Sequence, residues 1–220
     1  SGLYLANAAR KQRTVSFYFG DDEIMRMRGA YGTRMPLSRN DVVCAHVCEA
    51  IMAADPAVAR RTLAIPVNAR VRCGLDPMLV GNIITTLNVD LRRAEPAGAT
   101  AERIRDSVNH FADQHCDMRI NQRFLDTVGR WRAARCVSTA FDPARWNPLV
   151  TNLSGFGLYR LQFEGAFVSY CTVLMKVPVA GLGVLMEGAG ERGLIFQMAL
   201  PPREFQGLSS AEVYEHMHRF

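Results

Sequence analysis

The chain has 220 residues, of which 49% are hydrophobic and 21% are charged, and its formal net charge is +5. This length can bury a substantial core, and the composition is typical of a globular protein rather than a disordered one. The basic residues form no run of like charges, so we expect no nucleic-acid partner. We also expect no membrane partner and no secretion, because neither an 18-residue apolar stretch nor a signal peptide occurs.

Six cysteines are present, and none forms a Cys-x-x-Cys pair. A zinc ribbon or a redox motif is therefore not supported. Cys44 and Cys48 lie four residues apart in an apolar segment, which predicts buried thiols on one helix. A reduced, cytoplasmic setting is the expectation that follows.

The first third of the chain is predicted to form one strand and two helices. Alternation over residues 14–19 predicts a strand, and three acidic residues begin a short helix over residues 21–29. Ser38 is followed three residues later by Asp41, a pattern that resembles a helix N-cap. The helix that it opens, residues 39–54, is apolar on nearly all faces and is predicted to be buried.

The middle of the chain is predicted to add two strands and two helices. Residues 62–68 and 83–89 are predicted strands, joined by a loop rich in Gly and Pro. Residues 94–98 have the composition of a linker, and Thr100 is predicted to cap the next helix. A second amphipathic helix would carry its apolar side chains on one face, namely Ile120, Phe124, Leu125, Val128 and Trp131.

The last third is dominated by predicted strands, over residues 149–153, 166–177, 183–187 and 194–200. The Ser-Ser pair at 209–210 is predicted to open a terminal helix. Helices and strands mix without regular alternation, which favours an α+β fold with a mixed sheet flanked by helices.

No complete catalytic site can be assembled from these residues alone. None of the five histidines stands in a His-x-x-x-Asp arrangement, and no nucleophile elbow or phosphate-binding loop occurs. His46 lies in the apolar helix and is predicted to be a core histidine with satisfied ring nitrogens. His110 and His115 lack a convincing third ligand, so we predict no metal site.

Five segments follow one another along the chain: Val15–Arg28, Leu37–Ala50, Val67–Arg72 with Val80–Ile84, Val150–Phe163 and Gly193–Pro201. In this order they resemble the C-terminal half of the BAHD acyltransferases. That family belongs with chloramphenicol acetyltransferase and the condensation domains of peptide synthetases. The third segment is similar to the family's Asp-x-Arg-x-Arg strand and its later Phe-Gly-Asn. The fourth is similar to the Thr-Ser-Trp segment that leads into Asp-Phe-Gly-Trp-Gly.

The resemblance implies a chloramphenicol-acetyltransferase-like domain that forms half of a two-domain enzyme. Residues 1–13 would be a crossover or linker segment, and residues 14–220 would be the C-terminal domain. The other half would be a partner that carries the His-x-x-x-Asp motif, so this chain would be incomplete as a catalyst. Residues 162–166 depart from the family's Asp-Phe-Gly-Trp-Gly, and Leu153 stands where the family has Trp.

The implied reaction moves an acyl group from a coenzyme A or carrier-protein thioester to an alcohol or amine. The histidine of the other half would be the general base. Acyl-coenzyme A, or an acyl carrier protein, would be a co-substrate, and no cofactor would be bound permanently. Thr151 occupies the position of the family's oxyanion donor, and Asn152 is an adjacent candidate donor.

Four residues would support the active site. The resemblance implies that Arg70 pairs with the Asp of the His motif, a bidentate contact that fixes orientation. Alternation along a strand would place Arg72 on the same face, and Asn68 and Asn82 flank this motif.

Two residues would contact coenzyme A. Ser38 and Arg39 lie at the helix start where family members bind it, and a helix N-terminus favours anionic groups.

Two other readings remain open. One is a condensation-type domain that acts on carrier-bound substrates, because the segment around Arg70 and Asn82 is loosely shared with that branch. The other is a non-catalytic binding module of the same fold, which the divergent residues 162–166 favour.

Overall fold

The computed structural model describes residues 12–32, 34–115, 119–133, 146–173 and 179–220. A six-stranded mixed sheet of order β1-β8-β7-β4-β2-β3 forms its centre. Strand β4 runs parallel to both neighbours, and the other pairs are antiparallel. The strands of this sheet are β1 (Arg13–Phe19), β2 (Arg60–Asn68), β3 (Ile84–Arg92), β4 (Leu149–Asn152), β7 (Leu182–Glu187) and β8 (Leu194–Leu200). A separate hairpin consists of β5 (Gln162–Phe163) and β6 (Ala166–Phe167).

The described helices are α1 (Asp21–Tyr31), α2 (Arg39–Ala54), α3 (Ala97–Asn109), α4 (Phe111–His115), α5 (Arg119–Val128), α6 (Arg130–Ala133), α7 (Pro202–Leu208) and α8 (Ala211–Met217). Helix α2 is central, because it packs against α1, α3, α7, α8 and the sheet. None of the described helices is both long enough and apolar enough to cross a membrane.

Helix α2 begins where the sequence predicts, because a reciprocal cap fixes its first turn. The Ser38 hydroxyl accepts a hydrogen bond from the Asp41 N–H at 3.3 Å, and the Asp41 carboxylate accepts one from the Ser38 N–H at 2.7 Å. Eleven of the 16 residues are buried, Cys44 and Cys48 among them. The predicted burial of this helix and of both thiols is therefore confirmed.

A buried ion pair anchors the segment that enters β4. Arg61 on β2 contacts the Asp55 carboxylate at 2.5 Å, and its side chain is 2% exposed. The same guanidinium donates to the carbonyl of Trp146 and stacks 3.9 Å from the centre of its indole ring. Asn147 accepts from the Thr62 N–H at 3.1 Å, so the start of β4 is held directly against β2.

Three sequence predictions in the middle of the chain need correction. Helix α3 begins at Ala97 with Pro96 as its N-cap, so residues 97–98 are helical and Thr100 lies buried inside the helix. The second amphipathic helix ends at Val128, because Gly129 has φ +79°. Trp131 lies in the short α6 and is 90% exposed, so it does not contribute to the core.

The predicted strand over residues 166–177 is also largely wrong. Only Ala166–Phe167 is a strand, residues 168–173 are irregular, and the remaining positions lie outside the described residues. The turn of this hairpin places Glu164 and Gly165 at φ 49° and 86°. The other predicted strands are confirmed within a few residues.

Among the described cysteines, Cys73 departs from the expected reduced set. Cys73 is disulfide-bonded, whereas Cys44, Cys48 and Cys171 carry free thiols. Cys73 closes the short 3-10 turn Val71–Cys73 that follows β2.

Candidate functional site

The carboxyl ends of two parallel strands bring the predicted site residues to one edge of the sheet. In the register of β2 and β4, Ala64 lies opposite Leu149. Asn68 therefore stands at the end of β2 at about the level where β4 ends with Asn152. Crevices outside the carboxyl ends of parallel strands are common ligand sites.

Asn152 joins this edge to the start of α2. Its side-chain amide donates to the Asn40 side-chain oxygen at 3.2 Å, and its own side-chain oxygen accepts from the Ser154 N–H at 2.8 Å. Asn40 follows Ser38 and Arg39, so the predicted oxyanion region lies beside the predicted coenzyme A region. The sequence placed these two groups more than 100 residues apart, and the fold makes them neighbours.

Thr151 is half-buried on β4, directly opposite Val184 of the parallel strand β7. Its position between two parallel strands holds its backbone in the ladder, which fixes the direction of the side chain. Whether Thr151 or Asn152 contacts a reacting oxygen remains a prediction.

Arg70 lies in a turn beyond β2, not on the strand. Its guanidinium donates to the Leu79 carbonyl at 2.8 Å, to the Gly81 carbonyl and to the Asn68 side-chain oxygen at 3.1 Å. Arg70 thereby fastens the loop that follows the 3-10 turn back onto the end of β2. The expected strand alternation of Arg70 and Arg72 is wrong, because β2 ends at Asn68 and the chain turns with Arg70 in the αR region.

Arg72 points to a different part of the molecule. It donates to the Val108 carbonyl at 3.2 Å and lies 5.7 Å from the centre of the Phe111 ring. Its contacts therefore hold the 3-10 turn against the end of α3. Asn82 is exposed in the same loop as Gly81. The structure thus groups Asn68 and Arg70, and separates Arg72 from them.

Ser38 and Arg39 already have partners within the chain. The Ser38 hydroxyl is the cap of α2, and Arg39 forms an ion pair with Asp21 of α1 at 2.7 Å. Both members of the pair are exposed to solvent, so a phosphate could compete for Arg39 at small cost.

The surface around Arg70 is apolar. Large apolar side chains of the loop and its flanks are exposed, namely Val71, Met78, Leu79, Val80 and Ile84, and Val80 reaches 95% exposure. Exposed apolar side chains grouped in and beside one loop are more typical of an interaction site than of a solvated loop.

A second polar cluster lies in the core between α1, α2 and α8. The Tyr31 hydroxyl bonds to His46 Nδ1 at 2.9 Å, and His46 Nε2 bonds to the Met217 carbonyl at 3.0 Å. The prediction that His46 is a satisfied core histidine is therefore confirmed. Burial is the main cause that lowers the pKa of His46 to about 4, so the ring is neutral at ordinary pH.

Comparison with known proteins gives a fold but no close relative. No family model matches the chain, and no curated protein matches it. Among solved structures, vinorine synthase is 19% identical with a TM-score of 0.71, and the match covers 93% of this chain and 48% of that one. F. graminearum TRI101, solved in complex with coenzyme A and deoxynivalenol, is 17% identical with a TM-score of 0.76, over 93% of this chain and 49% of that one.

A condensation domain of the CDA synthetase is also similar, at 15% identity and a TM-score of 0.53, over 100% of this chain and 48% of that one. The chain therefore spans about half the length of each of these proteins. Each of them carries the additional length in the same chain, so the comparisons do not support a complementary half that is a separate partner. This chain has the chloramphenicol-acetyltransferase-like fold, and it corresponds to one half of the matched proteins. BAHD acyltransferases and condensation domains share this fold.

Proposed function

We propose that this chain is the C-terminal half of an acyltransferase that uses a coenzyme A thioester and an alcohol or amine acceptor. The observation that carries the proposal is the contact between Asn152 at the end of β4 and Asn40 in the first turn of α2. It brings the predicted oxyanion donors beside the predicted coenzyme A residues. The fold shared with proteins solved with coenzyme A supports the choice of donor.

In this proposal the general base is a histidine of the other half, which the similar structures carry in the same chain. The base removes a proton from the acceptor hydroxyl or amine, and the acceptor attacks the thioester carbonyl. A bond forms between the acceptor and the carbonyl carbon, and the carbonyl oxygen gains negative charge. The carbon–sulfur bond then breaks, and coenzyme A leaves as the thiol after it takes up the proton.

Thr151 would stabilise the charge on that oxygen. A hydroxyl donor at Thr151 is preorganised, because its backbone lies in the ladder with β7 and the start of its strand also pairs with β2 at Leu149. Preorganised donors contribute most where charge develops, and removal of one typically lowers the rate about 10²–10³-fold. Asn152 is the weaker candidate, because both ends of its amide are already used by Asn40 and Ser154.

Arg70 would hold the aspartate of the His motif. Its three described partners are two carbonyls and the Asn68 amide oxygen, all of them acceptors without a formal charge. A guanidinium has five N–H donors, so these bonds leave capacity for a carboxylate from the other half. The exposed apolar surface around Arg70 is where that half would pack.

The start of α2 would receive the phosphates of coenzyme A. A helix of 16 residues presents a positive end at Ser38, and Arg39 adds a positive charge there that is now paired with Asp21. The acceptor is proposed to be a small molecule of secondary metabolism and the reaction to be cytoplasmic. The free thiols of Cys44, Cys48 and Cys171 favour a reducing compartment, whereas the disulfide at Cys73 does not.

A condensation-type activity is the second candidate, because condensation domains have the same fold. Their TM-scores of 0.53 and 0.51 are lower than the 0.71–0.76 of vinorine synthase and TRI101, which favours the first candidate.

A test of the donor compares two thioesters on one complete enzyme, in which this chain is joined to or mixed with a half that carries His-x-x-x-Asp. Turnover of acyl-coenzyme A with acceptor is expected. Turnover of the acyl carrier protein but not of acyl-coenzyme A would support a condensation-type activity. Turnover of neither, together with unchanged binding of the acceptor, would support a binding module and overturn both enzymatic proposals.

A further inference from the structure

Two helices far apart in sequence place three metal-ligating side chains together. His46 and Glu49 lie one turn apart on α2, and His216 lies on α8. One ligand atom from each lies within 4.8 Å of the others, and His216 Nε2 is 3.3 Å from the Glu49 carboxylate. Two ligands at about 2.0–2.1 Å from a tetrahedral Zn²⁺ lie about 3.3 Å from each other, which matches the spacing of His216 and Glu49.

Backbone groups already orient two of the three side chains, His46 and Glu49. The Met217 carbonyl can only accept a hydrogen bond, so the ring proton of His46 resides on Nε2 and Nδ1 accepts from the Tyr31 hydroxyl. Nδ1 is therefore the ring atom that would bind a metal, with the Tyr31 hydroxyl turning away from it or joining the ion as a further ligand. The other oxygen of Glu49 accepts from the Ala97 N–H at 3.1 Å. A ligating histidine usually donates its second N–H to a carbonyl in this manner, and such contacts fix the ligand before metal arrives.

A cation already stands among these groups. The Arg219 guanidinium lies 3.0 Å from the Glu49 carboxylate and 3.0 Å from the Tyr31 hydroxyl, and it contacts both ring nitrogens of His216. The cluster therefore already surrounds a positively charged group. Arg219 comes after the end of α8, and a third of its side chain is exposed, so it can move out without disturbing a helix.

We propose that this cluster is a divalent transition-metal site of the zinc class, in which the ion binds His46, Glu49 and His216 in place of the Arg219 guanidinium. Two imidazoles and a carboxylate are a ligand set that zinc accepts, with a fourth position open to Tyr31 or to water. The bound ion would cross-link α8 to the central helix α2. This site is independent of the proposed acyl transfer, and the sequence did not predict it.

Solvent reaches the cluster from one side. Glu49 also lines an open cavity of about 400 Å³ that Met52, Arg92 and Glu95 help to form. His216 is half-exposed, so the replacement of its imidazole leaves the core intact. His218 offers a matched control, because it lies two residues away in the same segment and bonds to Glu23 at 3.0 Å instead.

The test uses ZnCl₂ alone on the whole chain after treatment with a chelator and its removal. Titration calorimetry and thermal unfolding are measured on the parent protein, His216→Ala and His218→Ala. The parent and His218→Ala should bind one zinc ion, and saturation should raise Tm by about 5 °C or more at 100-fold excess over Kd. His216→Ala should lose this binding. Absence of binding by the parent, or equal binding by His216→Ala, would overturn the proposal.

Arg219→Gln distinguishes metal replacement from a purely structural ion pair. Without metal this variant should unfold at a lower temperature than the parent, because Glu49 loses its cation. Zinc should then bind at least about tenfold more tightly than to the parent, since no positive charge has to leave, and should restore the parent's Tm. Lower Tm without rescue by zinc would show that only Arg219 fits the cluster, and would overturn the proposal.

Discussion

The buried pair of Arg61 and Asp55 allows the strongest test of the packing that supports β4. The Arg61→Met substitution keeps the aliphatic bulk of the side chain but removes its positive charge. The Asp55 carboxylate, which is 11% exposed, then loses the counter-charge that Arg61 provides. The Trp146 carbonyl loses its donor, and its ring loses the stacked guanidinium. Breaking a buried ion pair by removal of one partner typically costs about 3–5 kcal/mol, so we expect a loss of stability of that size.

Urea unfolding followed by fluorescence measures this change, and two further variants define its origin. Asp55→Asn combined with Arg61→Met should recover a large part of the loss, because the uncompensated charge is removed. Arg39→Met breaks the Arg39–Asp21 pair of similar length at the exposed surface, and should cost less than about 1 kcal/mol. Equal costs for Arg61→Met and Arg39→Met would refute the argument from burial.

Three further predictions concern a turn, a thiol and a loop. Gly181→Ala should lower the free energy of unfolding in urea by about 2–3 kcal/mol, because a φ of +86° strains an alanine and its Cβ would clash with the Asn147 carbonyl. A loss below about 0.5 kcal/mol would contradict this. Burial raises the pKa of Cys48 to about 12, so a disulfide reagent at pH 8 should label Cys171 much faster than Cys48; equal rates would show that Cys48 is accessible. Arg70→Ala should speed proteolysis within residues 74–83, because the guanidinium holds two carbonyls of that loop, and an unchanged cleavage rate would argue against that role.

Local signals predicted much of the fold. The start of α2 follows from Ser38 and Asp41, because a reciprocal cap involves residues three apart and needs no tertiary information. The strand β8 is predicted equally well, since all its residues except Gln197 are apolar and it is bounded by Gly193 and Pro201.

The turn after β2 could not be predicted in the same way. Residues 67–72 continue a strand-like pattern, yet the Asn68 side chain accepts from the Arg70 N–H and turns the chain. This bond competes with the ladder, and local side-chain bonds of Asn are a known source of such turns. The strand predicted over residues 62–68 already ended at Asn68, so the error entered with the family resemblance, which suggested a strand through Arg72.

The side-chain cluster around His46 was out of reach for a different reason. His46 bonds to the Met217 carbonyl 171 residues away, and Glu49 meets Arg219 at a separation of 170 residues. Periodicity predicts that His46 is buried, but only the docking of α8 determines its partners. Distant polar pairs of this kind leave no signal in a single sequence.

The most direct measurement of the central claim is the rate of acyl transfer by Thr151→Val in the complete enzyme, with Thr62→Val as control. Both changes replace a half-buried strand hydroxyl by a methyl group. Thr62, however, lies near the start of β2, whereas the proposed site lies at the end of that strand. We predict that Thr151→Val lowers kcat about 10²–10³-fold with little change in KM, while Thr62→Val stays within about threefold of the parent. Equal rates for Thr151→Val and the parent would contradict the assignment of Thr151, and full activity of this chain by itself would contradict the two-half mechanism.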